Sequence, residues 1–150
     1  MTTAGAFAPE VRQAIYEVGS GRCIGCGRVD VTAQHRRARG MGGTRDPLAA
    51  TPANGLPLCG SGTTGCHGWT ERHPTEGALL GWRLTSGQDQ LAEPFYTRHG
   101  WHRWTVLSSA DERGPLGIYL VAWVDEPELD RRDEREAAMR SFLNRPPGWR

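Results

Sequence analysis

The four cysteines of this 150-residue chain form two pairs, and their spacing constrains the fold more than any other sequence feature. Cys23 and Cys26 form a CxxC motif, whose turn directs two thiolates at one point. Cys59 and Cys66 enclose six residues that are all Gly, Ser or Thr, so the chain can loop out and bring the two sulfurs together. The pattern predicts a structural zinc ion held by four thiolates, which leave no position open for water. Two reduced pairs or two disulfides are the alternative.

The composition is that of one loop-rich domain. Hydrophobic residues make up 37% of the chain, with 20 glycines and 10 prolines. No apolar stretch has the length of a membrane span, and the first residues lack the basic and apolar regions of a signal peptide. We therefore expect a soluble, cytoplasmic protein with no membrane partner.

Periodicity in the first half of the chain predicts a helix, two strands and a second helix. Apolar residues on one face indicate a helix over Pro9–Val18, and alternation indicates a half-buried strand over 29–34. Glycine and proline make 39–54 a loop, and a short strand at 56–58 leads into Cys59. The second helix begins at about Cys66 and continues to about residue 72.

The second half gives weaker patterns. A helical turn is expected over 74–80, and strands are expected near Arg83, over 101–107 and over 116–123. A charged helix is predicted over 126–143. The tryptophans are expected to pack in the core or at its edge rather than to stack on bases.

Polar residues suited to catalysis are concentrated between Cys23 and His73. His35 follows the first predicted strand, Asn54 directly precedes the second, and His67 lies at the start of the helix. Strand, loop, strand and helix therefore form one compact unit with His, Asn and His at its junctions.

This segment resembles the HNH (His-Asn-His) endonucleases, most closely the zinc-stapled, phage-type members. The resemblance covers about residues 10–85 and rests on the CxxC motif, the stretch HRRARGMGG from His35, and the stretch from Leu58 to His67. It implies an α+β fold: a small ββα-metal core stapled by zinc, with accessory strands and a C-terminal helical tail. The core and its N-terminal helix would occupy 1–85, and the accessory strands and charged tail 86–150, as one structural unit.

The resemblance also implies a role for each site residue. His35 is the general base and His67 a ligand of a catalytic divalent cation, which is Mg²⁺, Mn²⁺, Zn²⁺ or Ni²⁺. Asn54 braces the loop that aims His35. Many members carry Asp or His as a second ligand directly before the base; here the position is Gln34, whose carbonyl can coordinate a hard cation. Glu71, one helical turn after His67, is a further candidate ligand, with a solvated surface acid as the alternative.

An arginine cluster follows the proposed base. Arg36, Arg37 and Arg39 are predicted to bind DNA phosphates, with a solvated charge run as the alternative. His73 is a weaker ligand candidate because Pro74 follows it.

The expected activity is metal-dependent hydrolysis of phosphodiester bonds in double-stranded DNA, by nicking or cutting. The resemblance implies a role in phage DNA processing, with packaging (terminase) proteins as partners. Two alternatives are a zinc-stabilised DNA-binding module without catalysis and an assembly protein whose charged tail, 125–150, docks on a partner.

Overall fold

The computed structural model describes residues 7–38, 46–85, 87–106, 121–126 and 128–149. Its helices are α1 (Pro9–Val18), α2 (Gly65–Arg72), α3 (Pro74–Leu79) and α4 (Arg132–Leu143). Its strands are β1 (Val31–His35), β2 (Gly55–Cys59), β3 (Phe95–Thr97), β4 (Gly100–Val106) and β5 (Val121–Asp125). This mixture of helices and antiparallel strands is an α+β fold, as predicted.

The first structural unit is an antiparallel hairpin of β1 and β2, followed by α2. The register pairs Val31 with Cys59 and His35 with Gly55. Helix α1 packs on the hairpin through Val11 and Ile15, which are buried with Phe7. A β-carbon on Gly55 would lie 2.2 Å from the Cδ1 atom of Ile15, so the helix can approach this closely only because residue 55 is glycine.

The second unit is a three-stranded antiparallel sheet in the order β3-β4-β5. Aromatic side chains join it to the first unit in one core, which includes Trp69, Trp82, Phe95, Trp104 and Phe142. The indole nitrogens of Trp82 and Trp104 donate to the carbonyl oxygens of Tyr96 and Ala53. These buried tryptophans are core residues, as the sequence predicts.

Several element boundaries differ from the predictions. Strand β1 begins two residues later than expected, because Val29 is 69% exposed and sheet pairing starts at Val31. Helix α4 begins at Arg132 rather than at residue 126, since Arg131 has a left-handed backbone with φ 49°. Near Arg83 the chain makes only an isolated bridge, between Arg37 and Leu84. Strand β3 was not predicted, and most of the expected strand 116–123 lies outside the described residues.

Among the helices of the described ranges, none combines the length and the apolar character that crossing a bilayer requires.

Candidate functional site

The four cysteine side chains converge on one point. Their Sγ atoms all lie within 4.8 Å of one another, and none forms a disulfide. A tetrahedral zinc ion with Zn–S bonds of about 2.3 Å needs sulfurs about 3.8 Å apart, so the cluster fits a metal such as zinc. In the described part of the chain, it is the one group of three or more His, Cys, Asp or Glu side chains whose ligand atoms converge in this way.

The surroundings of the cluster place hydrogen-bond donors beside two of its sulfurs. The backbone N–H of Cys66 donates to Cys59 Sγ at 3.4 Å, and Arg145 Nη2 lies 3.7 Å from Cys66 Sγ. A hydrogen bond with Cys23 lowers the pKa of Cys59 to about 7, whereas hydrogen bonds among the sulfurs, together with burial, raise the pKa values of Cys23 and Cys66. The guanidinium of Arg145 is itself fixed by the carbonyl oxygens of Phe142 and Trp149. Arg145 thus brings positive charge to a site that would carry excess negative charge with zinc bound.

The cluster also fixes the position of the helix that carries His67. Cys59 ends β2 and Cys66 lies in the first turn of α2, so holding both sulfurs sets the angle between strand and helix. His67 follows directly, and Glu71 lies one turn further along α2.

The proposed catalytic side chains line one cavity of about 210 Å³. Its wall contains His35 and Gln34 from β1 and His67 and Glu71 from α2, together with Ala33 and Ala38. The structure therefore brings together four of the residues that the sequence singled out. Asn54 and His73 are not in this wall.

His67 is held on its inner side by Thr32. Its Nδ1 atom lies 2.7 Å from the Thr32 hydroxyl oxygen. Burial lowers the pKa of His67; the Glu71 carboxylate opposes this effect, and the His35 ring adds to it. The ring is consequently neutral at pH 7, as a metal ligand must be.

Glu71 has two partners within the protein. Gln34 donates its amide nitrogen to Glu71 Oε1 at 3.4 Å, and Arg83 forms a 3.0 Å salt bridge to Oε2. The amide nitrogen of the buried Gln34 also donates to the backbone oxygen of His35. Both bonds use the amide nitrogen of Gln34, so they orient its side chain toward Glu71 without engaging the carbonyl oxygen that was predicted as a ligand.

Phe7, which the sequence analysis missed, contacts the proposed base. Its ring stacks on the imidazole of His35, with centroids 3.9 Å apart and planes 8° apart. Phe7 precedes α1 and carries no local signal for this contact, because the packing of α1 on the hairpin creates it. The stack limits how far the His35 ring can turn.

A second cavity, of about 310 Å³, lies on the α1 side of His35. Phe7, Arg12, Tyr16 and Thr32 line it, and it shares Ala33 and His35 with the first cavity. The exposed Arg12 is therefore a basic group close to His35 that the sequence analysis did not single out.

Asn54 is fully buried and braces the chain just after His35. Its Oδ1 accepts from the Arg37 backbone N–H at 2.8 Å, and its Nδ2 donates to the carbonyl oxygens of Arg37 and Ala49. Its own carbonyl oxygen accepts from the Arg36 N–H. These hydrogen bonds brace the chain that follows His35.

The prediction that Arg36 binds DNA was wrong. Its side chain is buried, and its guanidinium donates to the carbonyl oxygens of Gly81, Gln90 and Glu93. Burial lowers its pKa to about 9, so it keeps its charge at pH 7 as an internal crosslink. Arg37 is also turned inward, to Asp46 and to the Gln88 carbonyl oxygen. Arg39 lies outside the described residues.

His73 packs on the protein core instead of facing the cavity. Its ring stacks on Trp69 with centroids 4.5 Å apart, and its Nδ1 lies 2.8 Å from the Trp69 carbonyl oxygen. It is therefore a structural residue.

No protein-family model, curated protein or solved structure matches this chain, so we infer its function from the side chains described above.

Proposed function

We propose that this protein is a metal-dependent HNH endonuclease that hydrolyses phosphodiester bonds of double-stranded DNA. The observation that carries the proposal is the shared cavity of His35, His67 and Glu71, built by a hairpin and a helix that four cysteines clamp together. Under this proposal the hairpin and α2 form the ββα-metal core. Phage DNA processing with packaging proteins is the corresponding biological setting.

His35 acts as the general base in this proposal. A neutral imidazole takes a proton from water, and the resulting hydroxide attacks the phosphorus. Phe7 holds the plane of the ring, and Asn54 holds the backbone that follows it. The base is thus oriented before substrate binds.

His67 and Glu71 would hold the catalytic divalent cation. An imidazole nitrogen and a carboxylate oxygen suit Mn²⁺ or Mg²⁺, which retain water and take phosphate oxygens for their remaining positions. When bound, such a cation stabilises negative charge on the phosphate and the leaving oxygen. Because only two protein side chains would bind the cation, we expect oxygens of the substrate phosphate to supply further ligands.

A DNA-binding module without catalysis is the second candidate. The observations that favour it are Gln34, a neutral residue where many HNH endonucleases carry Asp or His, and the salt bridge of Glu71 to Arg83. Both reduce the capacity of the cavity for a cation. The assembly alternative is weaker, because Ala138 and Phe142 of α4 are buried in the chain's own core and cannot dock on a partner.

A nicking assay on supercoiled plasmid in the presence of Mg²⁺ or Mn²⁺ distinguishes the two candidate functions. We expect cleavage by the wild type and a loss of about 100-fold or more in His35→Ala, the contribution of a general base. His99→Ala is the matched control, since His99 is exposed and lines neither cavity. DNA retardation without metal-dependent cleavage would establish the second candidate instead.

A further inference from the structure

The hydroxyl of Thr32 lies among three polar atoms. His67 Nδ1 is 2.7 Å away, the Gly60 carbonyl oxygen 3.0 Å and the Leu58 carbonyl oxygen 3.3 Å. A hydroxyl has one hydrogen to donate and two lone pairs that accept. A carbonyl oxygen can only accept, so either carbonyl bond uses the one hydrogen.

This count decides the direction of the bond to His67. If the hydroxyl donated to Nδ1, both carbonyl oxygens would face an oxygen with no hydrogen, which is unfavourable in a half-buried position. If Nδ1–H donates to Thr32, the hydroxyl hydrogen remains for the Gly60 carbonyl oxygen, the nearer of the two, and only the longer contact with Leu58 lacks a hydrogen. The carbonyl of Gly60 is placed by a left-handed turn with φ 84°, where a β-carbon would meet the Thr64 oxygen at 2.2 Å.

We infer that Thr32 is a positioning residue that holds neutral His67 in its Nδ1-protonated tautomer and leaves the Nε2 lone pair for a ligand in the cavity. A neutral imidazole has only one N–H, so fixing it on Nδ1 exposes Nε2 as the acceptor. Hydrogen bonds of this kind commonly set the tautomer of metal-binding histidines and strengthen them as ligands. The consequence for a cation rests on the proposed function, whereas the tautomer itself does not.

The tautomer can be measured directly in the full-length, zinc-loaded protein without DNA or added divalent cation. Long-range ¹H–¹⁵N NMR at about pH 8.5, where an unperturbed imidazole is neutral, distinguishes a protonated from an unprotonated ring nitrogen. We expect Nδ1 of His67 to be protonated and Nε2 unprotonated. The opposite assignment in the wild type would overturn the inference.

Two substitutions of Thr32 separate the effect of its hydroxyl from the effect of its side-chain shape. Thr32→Val removes the hydroxyl and should move His67 toward the Nε2-protonated tautomer, while Thr32→Ser should retain the wild-type spectrum. An unchanged tautomer in Thr32→Val, with thermal melting showing that it folds, would contradict the positioning role.

Calorimetric titration with Mn²⁺ alone tests the consequence for binding. Thr32→Val should weaken Mn²⁺ binding by about tenfold or more, as loss of such a supporting bond does, and Thr32→Ser should restore it. Equal affinity in wild type and Thr32→Val would overturn the link to ligation. If wild type has the expected tautomer but binds no Mn²⁺, the proposed cation site fails and the tautomer assignment is supported.

Discussion

Phe7 and His35 are stacked face to face, with ring planes only 8° apart. Phe7 lies just before α1, and His35 ends β1, so the contact depends on how the helix packs on the hairpin. The stack restrains the ring that we propose as the general base.

Replacing Phe7 with Leu should slow plasmid nicking with little loss of burial. Leucine keeps an apolar side chain but cannot hold the imidazole plane, and misplacing a catalytic group commonly costs about tenfold or more. The check is a single-turnover nicking rate beside that of Phe7→Tyr, which retains the ring. Equal rates for Phe7→Leu and wild type would show that the stack does not orient the base.

Gly55→Ala should destabilise the protein by about 1–3 kcal/mol, as overpacking of a filled core does. The new methyl would lie 2.2 Å from Ile15 Cδ1 and 3.2 Å from the Phe7 ring, so α1 must shift. Urea unfolding measures the loss. Combining the change with Ile15→Val, which removes Cδ1, should recover part of it.

Gly62→Ala is the control, because an added β-carbon there meets nothing within 4 Å. An equal loss of stability at residues 55 and 62 would mean that the contact with Ile15 is not the cause.

Arg36→Lys should destabilise the fold by about 2–4 kcal/mol, because an ammonium group cannot reach all three carbonyl oxygens and leaves buried acceptors unpaired. Binding of DNA by the folded variant should be unchanged. Urea unfolding and gel retardation test both points. Arg12→Gln, at an exposed arginine, should change stability by no more than about 0.5 kcal/mol. A stable Arg36→Lys variant that binds DNA weakly would contradict the internal role of Arg36 and support its contact with DNA phosphates.

Purified protein should contain about one zinc ion per chain, the content expected of one four-thiolate site. Cys59→Ser should lose that metal and unfold the hairpin and α2, because zinc binding supplies folding free energy. Metal analysis and circular dichroism provide the check. Arg145→Gln should retain zinc but release it faster to a chelator, since the group beside Cys66 Sγ loses its positive charge. A stable, metal-free Cys59→Ser variant would refute a structural zinc.

Stability should depend on pH through His67. Because burial lowers its pKa from 6.5, the folded protein binds fewer protons here than the unfolded chain does just below that pH. This contribution is fully present above pH 6.5 and is lost as the pH falls toward the folded-state pKa. Urea unfolding at about pH 7.5 and 5.5 should show a larger loss for wild type than for His67→Gln. Equal losses of stability in the two proteins would mean that the His67 ring is more solvated than its burial in the structure implies.

The sequence determined the features that depend on local spacing. Helix α1 has the predicted bounds because its apolar positions repeat with the helical period, and strand β2 contains the predicted 56–58. The cysteine cluster follows from a CxxC turn and a flexible six-residue insert that tolerate few other arrangements. The positions of His35 at the end of a strand and of His67 in a helix follow from the same local patterns.

Only the tertiary structure decided which polar groups face the cavity and which face the core. Arg36 and His35 are neighbours in sequence, yet alternation along the chain turns the arginine toward carbonyl oxygens of a distant segment, 81–93. The Phe7 stack, the Gln34 bond to Glu71 and the Thr32 bond to His67 also join segments far apart in the chain. Local propensity carries no information on such contacts, because their energies exist only once the helix and hairpin have packed together.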